Sequence, residues 1–236
     1  MTSTVPELRL ILAARAASLP AALGRTGFVP MNGERAVRVL ESAGLWFGPR
    51  RDLEEMEEYR QIIPYIVLRK GSRLVRYTRT PAGGEARLHG RMSIGLGGHV
   101  DLADAVSRGG RIDLLATIER AAERELVEEL GGAACEDRRW IGLLVDNDSA
   151  VGRVHIGLIG LWSLPALPVT VAEDAIGEVT VQSVTELAAD TERLETWSAM
   201  LLPWLEVAIG GEPSDSTGQV SEQHIGGIEA LSRPSR

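Results

Sequence analysis

The stretch Ile118-Glu119-Arg120-Ala121-Ala122-Glu123-Arg124-Glu125-Leu126-Val127-Glu128-Glu129-Leu130-Gly131-Gly132 decides how this chain is read. It predicts a helix over Asp113 to Leu130, with Asp113 as the N-cap and the glycine pair as the stop. At about 100° per residue, with Glu125 set at zero, Ile118 falls near ~20°, Ala121 near ~−40°, Ala122 near ~60° and Leu115 near ~80°. Glu129 falls near ~40° and Glu128 near ~−60° on the same wheel. Glu125 and Glu129 therefore share the side of the apolar and small residues, away from the solvated face. A Glu-rich helix ordinarily turns its charges to water and pairs them four residues apart. Here the inward stripe turns acidic in its last two turns, where like charges repel and partial burial adds to the cost. A divalent cation relieves both, and Mg²⁺ suits a few carboxylates together with waters and substrate phosphates. Arg124 can orient one carboxylate by charge-assisted hydrogen bonds, and Ala121 and Ala122 leave room for a loop backbone to approach.

Outward from this helix the hydrophobic period changes. Ile62, Ile63, Tyr65, Ile66, Val67 and Leu68 form a β-rich run, Gly71-Ser72 reads as a tight turn, and Leu74 to Thr80 as the return strand. Met92 to Leu96 is a short strand leading into Gly97-Gly98, followed by a long loop from Asp101 to Ile112. Strands are predicted at Trp140 to Val145, Val154 to Trp162 and Val179 to Val184, with a last helix from Glu186 to Val207. The first segment reads as helical pieces, Glu7 to Leu19, Glu34 to Ala43 and Leu53 to Tyr59, with Gly24 to Gly33 as a loop. The expected organisation is a helical extension over 1–58, a mixed α/β domain over 59–207 and a disordered tail over 208–236.

The chain has 236 residues, 44% hydrophobic and 25% charged, which excludes wholesale disorder and fibrous classes. Its net charge of −8 argues against stable nucleic-acid binding. Cys135 is the one cysteine, so an intrachain disulfide framework and a multi-cysteine zinc site are excluded, and a reduced, cytoplasmic compartment is expected. Val154 to Ala172 carries no formal charge, but its glycines and prolines predict a strand and a loop, not a membrane helix.

Arg124-Glu125-Leu126-Val127-Glu128-Glu129-Leu130-Gly131 resembles the core of the Nudix box, Arg-Glu-apolar-x-Glu-Glu-x-Gly-apolar, and Gly97-Gly98-His99-Val100-Asp101 resembles the glycine loop that opens it. The stretch from Gln61-Ile62-Ile63-Pro64-Tyr65 to Ser93-Ile94-Gly95 is similar to a branch described as predicted MutT-family phosphoesterases. The resemblance implies an α/β/α sandwich around a mixed sheet. It also implies Mg²⁺-dependent hydrolysis (Mn²⁺ being an alternative) of a nucleoside diphosphate linked to another moiety. Glu125, Glu128, Glu129 and Gly97 would hold the metal, and Arg124 would position a glutamate. A further acid is expected from the segment before the last strand, with Glu173 ahead of Glu178. A homodimer is compatible with the family.

Two registers of the box are open. Gly110 lies fourteen residues before Arg124, as the family spacing asks, but the glutamate position that follows is then Ala116. The preferred register takes Gly98 as the box glycine, with an insertion inside Leu102 to Ile112 and Glu119 partly replacing the missing glutamate.

Arg69, Lys70, Arg73, Arg76, Arg79, Arg87 and Arg91 face one acid, Glu85, within a single window. These charges either point to water from alternating strand positions or steer an anionic substrate, with Arg76, Arg79 and Arg87 as the candidate contacts. Gly98 and His99 are further candidates for phosphate binding, and Trp46 is a candidate for stacking on a base. The competing reading is a nucleotide-sensing or protein-binding module on the same fold, without turnover. An isomerase of the isopentenyl-diphosphate type is disfavoured, because Cys135 follows the box rather than preceding it.

Overall fold

The structure, a computed structural model, describes residues 8–82, 89–132, 134–165, 174 and 176–210. Its centre is the strand β4 (Tyr59–Lys70), whose residues from Gln61 to Arg69 are all buried. Burial on both faces explains why the run is almost continuously apolar. Ile62, Ile66 and Leu68 enter one core and Tyr65 and Val67 the other, as the two-residue period of a strand requires.

Three more strands come from the first segment of the chain. β1 (Leu10–Arg15) pairs with β3 (Leu45–Pro49) and with the start of β4. β2 (Gly27–Pro30) pairs with β10 (Asp137–Val145). β5 (Arg73–Arg79) returns antiparallel from β4, and β11 (His155–Ser163) lies parallel to β4, with Gln61 opposite His155 and Arg69 opposite Ser163. The main sheet runs β12-β5-β4-β11-β10-β2, where β12 is Ile176–Ser183. The short strands β6 (Met92–Ser93) and β7 (Gly95–Leu96) add to β5 and β4 respectively.

Helix α1 (Gly33–Ser42) and helix α3 (Leu114–Leu130) cover one face, with Leu40, Leu114, Ile118, Ala121, Ala122 and Leu126 packed on Ile62, Ile66, Leu158 and Trp162. Helix α5 (Val184–Ala189) and helix α6 (Thr196–Gly210) cover the other, with Leu187, Leu201, Leu202 and Leu205 against Val67, Ile159 and Leu161. The expected mixed-sheet α/β/α sandwich is thus observed. The remaining short helices are α2 (Arg50–Leu53) and α4 (Ala150–Arg153).

The N-terminal segment differs from the helical reading. Where Glu7 to Leu19 was expected to be a helix, Leu10–Arg15 is a strand and only Ala16–Ser18 makes a helical turn. Ile11, Leu12, Ala13 and Ala14 are buried in succession, so no single helical stripe could satisfy them. Two-sided burial in a sheet does. The loop expected over Gly24 to Gly33 contains β2, so the segment to residue 58 contributes strands to the common sheet. Glu34 to Ala43 is helical as expected.

The single last helix is also two, α5 and α6. A capping box between Ser183 and Glu186 starts α5, which ends at Asp190, and Glu195 precedes α6 as a buried carboxylate. Inside the loop from Asp101 to Ile112, Ser107–Arg108 (β8) and Arg111–Ile112 (β9) form a hairpin across Gly109-Gly110. Both glycines have positive φ, 58° and 76°, as a tight two-residue turn between strands demands. Most of the tail expected over 208–236, together with Arg87 and Glu173, lies outside the described residues.

Candidate active site

The acidic turn of α3 is built from its cap outward. Asp113 accepts from the Ala116 amide at 3.0 Å, and Gly131 ends the helix in the left-handed region at φ 64°. Burial follows the helical wheel. Glu129 is buried at 6% exposure, the Glu125 side chain is 12% exposed, and that of Glu128 is 56% exposed.

Arg124 joins this turn to the glycine loop. Its Nη1 donates to Glu125 Oε1 at 2.7 Å and to Glu128 Oε2 at 3.1 Å. Its Nη2 donates to the His99 carbonyl at 2.8 Å and to Asp104 Oδ2 at 3.0 Å, and its Nε donates to Asp104 Oδ1 at 3.1 Å. Burial alone would lower the Arg124 pKa, but the hydrogen bonds to Asp104 and Glu125 outweigh it and the net shift is upward. Burial raises the Glu125 pKa, against the pull of Arg124.

The double glycine is a matter of space. A Cβ on Gly98 would fall on the Glu125 carboxylate, and one on Gly97 would fall on the Pro64 carbonyl. The loop backbone therefore lies directly against the acid, and any side chain at these positions would push it away.

Asp104 fits the register that begins at Gly98. It stands six residues after Gly98, where the pattern has its glutamate, and its buried carboxylate makes a forked pair with Arg124. Glu119, expected to fill this place in part, instead accepts from Trp140 Nε1 at 3.4 Å. The inserted residues follow Asp104 and include the β8–β9 hairpin. Six residues from Gly98 is a count the sequence itself supports, but an insertion placed no more closely than Leu102 to Ile112 leaves Asp104 unmarked.

The candidate substrate contacts fare differently. The His99 ring meets Gln61 Oε1 at 2.7 Å and lies 5.6 Å from the ring of His155. Burial, followed by the proximity of His155, pushes its pKa down to about 3, so at neutral pH it carries no charge for a phosphate. Its contribution to the site is the backbone carbonyl that holds Arg124. Arg76 bonds Gln182, Thr78 and Glu178. Arg79 sits over the Tyr77 ring and pairs with Glu195 at 3.3 Å. Arg73 pairs with Glu186, and Arg69 lies 3.8 Å from Asp137. Acids from later segments thus neutralise much of the basic window. Trp46 packs on Tyr59, 5.1 Å between centroids.

A second polar cluster lies behind the glycine loop and had no sequence signal. Glu195 Oε1 accepts from Tyr65 Oη at 2.6 Å and from Ser93 Oγ at 2.5 Å, while Oε2 faces Arg79. Ser198 Oγ accepts from the Ile94 amide at 3.0 Å, and Tyr77 Oη donates to the Gly95 carbonyl at 2.9 Å. Desolvation raises the pKa of both tyrosines, so they stay protonated donors.

Among the described residues, no group of three or more His, Cys, Asp or Glu side chains is already gathered around a metal position. Arg124 instead holds Glu125 and Glu128. The donor set still fits a hard divalent cation in kind: three carboxylates within two turns, one of them buried and one with its pKa raised by burial. Among the described residues, no helix is long and apolar enough to cross a membrane.

No family model matches the chain. It is similar to Protein YmaB of Bacillus subtilis (strain 168), 36% identical over 163 residues that cover 66% of this chain and 76% of that protein. Among solved structures it resembles Tm1382, which is described provisionally as a Nudix hydrolase. The TM-score is 0.68 at 25% identity, over 85% of this chain and 98% of the other. The Nudix domain of Shewanella oneidensis NrtR, solved with ADP ribose, aligns at a TM-score of 0.45 and 13% identity, over 63% of this chain and 86% of that one.

Proposed function

The chain belongs to the Nudix hydrolase superfamily, and on that premise we propose that it hydrolyses the phosphoanhydride of a nucleoside diphosphate linked to another moiety, with Mg²⁺ or Mn²⁺ as cofactor. The observation that carries this reading is the Arg124 clamp. One guanidinium ties the glycine-loop carbonyl and Asp104 to Glu125 and Glu128, so that loop and acidic turn face each other.

In this reading Glu125, Glu128, Glu129 and the Gly97 carbonyl hold the cation. A cation there supplies neutralising charge for phosphoryl oxygens and makes water a stronger acid. Arg124 keeps the glutamates in place, and the bare backbone at Gly97 and Gly98 lets the loop lie against the Pro64 carbonyl and the Glu125 carboxylate. A glutamate of the turn takes the proton of the attacking water, with Glu173 proposed as a further acid. Arg76 and Arg79 contact substrate in this scheme only by exchanging an internal carboxylate for a phosphate.

The test is a panel of nucleoside diphosphate derivatives assayed with Mg²⁺ and Mn²⁺, with the products identified. Turnover should require the cation, and Glu128→Gln or Glu129→Gln should lower kcat by about 100-fold, the scale of a lost acid–base or metal-holding group. Full activity in either variant, or binding across the panel without turnover, would refute the hydrolase reading.

A further inference from the structure

Arg9 ties the N-terminal strand to the glycine loop by its side chain. Arg9, just before β1, forms a fork with Asp101: Nε to Oδ1 at 2.7 Å and Nη2 to Oδ2 at 2.8 Å. The backbone supports this fork. The Leu12 amide donates to the Val100 carbonyl, Ile11 makes an antiparallel bridge with Asp101, and the Arg50 amide donates to the Arg9 carbonyl. Asp101 is in turn the first residue of a capping box with Asp104, whose Oδ2 accepts from the Asp101 amide at 2.9 Å.

The charges make Arg9 more than a strap. Arg124 Nη2 lies 3.8 Å from Asp101 Oδ2, while the same guanidinium already serves Asp104, Glu125 and Glu128. Without Arg9, Asp101 would compete for Arg124 against the two glutamates. Charge-assisted forks are strong enough for that competition to matter in a partly buried site.

We infer that Arg9 is a positioning residue of the hydrolytic site: by holding Asp101 it leaves Arg124 to Asp104, Glu125 and Glu128, and so makes the N-terminal strand a working part of that site. The inference rests on the hydrolase reading for its kinetic consequence, but its structural content is separate.

Arg9→Ala, Arg9→Lys and the double variant Arg9→Ala/Asp101→Asn test it. Asparagine keeps the capping oxygen of Asp101 and removes its charge. Arg9→Ala should lower kcat about tenfold, the usual scale for a group that orients metal-site ligands, with KM within about twofold of the parent. Arg9→Lys and the double variant should return kcat to within about threefold of the parent, since either change ends the competition for Arg124. A purely structural strap would not be rescued by removing its second half. Hydrogen exchange provides a readout apart from activity: the Asp101 and Asp104 amides should exchange faster in Arg9→Ala. Unchanged exchange there, or a double variant no better than Arg9→Ala, overturns the inference. If the parent protein turns over no diphosphate, the hydrolase reading falls, and the exchange result still decides whether Arg9 holds the loop.

Discussion

Two polar clusters hold successive parts of one segment, the first at Ser93 to Gly95 and the second at His99 to Asp104, and their charge balance differs. In the first, one carboxylate, Glu195, is matched by Tyr65, Ser93 and Arg79, and Ser198 anchors the next backbone amide. In the second, two arginines, Arg9 and Arg124, serve Asp101, Asp104, Glu125 and Glu128, with Glu129 one residue further along the helix. The first cluster pairs its one carboxylate with one guanidinium, with Glu195 buried and Arg79 partly exposed. The second sets two arginines against four carboxylates and opens to solvent at Glu128, where the proposed cation would add positive charge. Chemistry is expected where the charges do not cancel within the protein.

This contrast breaks if the two clusters respond alike to substitution. The largest expected effect is on stability. Glu195→Ala should cost about 3 kcal/mol in denaturant unfolding, because it leaves the partly buried Arg79 charge without its carboxylate and takes the charged acceptor from Tyr65 and Ser93. Turnover per folded molecule should stay within about threefold of the parent, the size of a small structural perturbation. Glu128→Gln should do the reverse. Its side chain is largely exposed, so stability should move by no more than about 0.5 kcal/mol while turnover falls about 100-fold. A loss of stability in Glu128→Gln matching that of Glu195→Ala would erase the distinction.

Smaller effects sharpen it through pH. The folded-state pKa of His99, about 3, lies below its ordinary 6.5, so the unfolded chain binds the extra proton. Stability should therefore fall as pH drops from 6.5 towards 3, by at most about 1.4 kcal/mol per unit. The difference in stability between the parent and His99→Gln across that range isolates the His99 part of the slope, and that difference should shrink as pH falls towards 3. Glu125 has the opposite sign. Its pKa is raised by burial, so its contribution to stability is present at acid pH and is lost as pH rises through the folded pKa. Metal-free Glu125→Gln should accordingly melt slightly higher than the parent at neutral pH, and the gap should close in acid. A lower melting temperature at neutral pH would show that the Arg124 contact outweighs the burial.

What could be read in advance follows from the range of the interactions. Helix α3, its Asp113 cap and its glycine stop are local, and the inward turn of Glu125 and Glu129 follows from helical period alone. The β4–β5 turn is equally local. Strand β1 is not legible locally because Leu10 to Ala14 is a short apolar run with no distinguishing period, and its partners β3 and β4 lie far along the chain. The basic window was seen, but the acids that answer it, Glu178, Glu186, Glu195 and Asp137, belong to segments that only the fold brings near. The Glu195 cluster was hidden for the same reason: Ser, Tyr and Glu at scattered positions have no pattern until β6 and α6 meet.

The β8–β9 hairpin projects all four of its strand residues into solvent and is fastened at its base, where the Asp113 amide donates to the Val106 carbonyl and the Val106 amide to Thr117. Each doubling of such a loop costs only about 0.6 kcal/mol of closure entropy. The joint between Gly109 and Gly110 is therefore a natural port for grafting: a fluorophore, an epitope or a whole guest module spliced there would ride outside the sandwich and clear of helix α3.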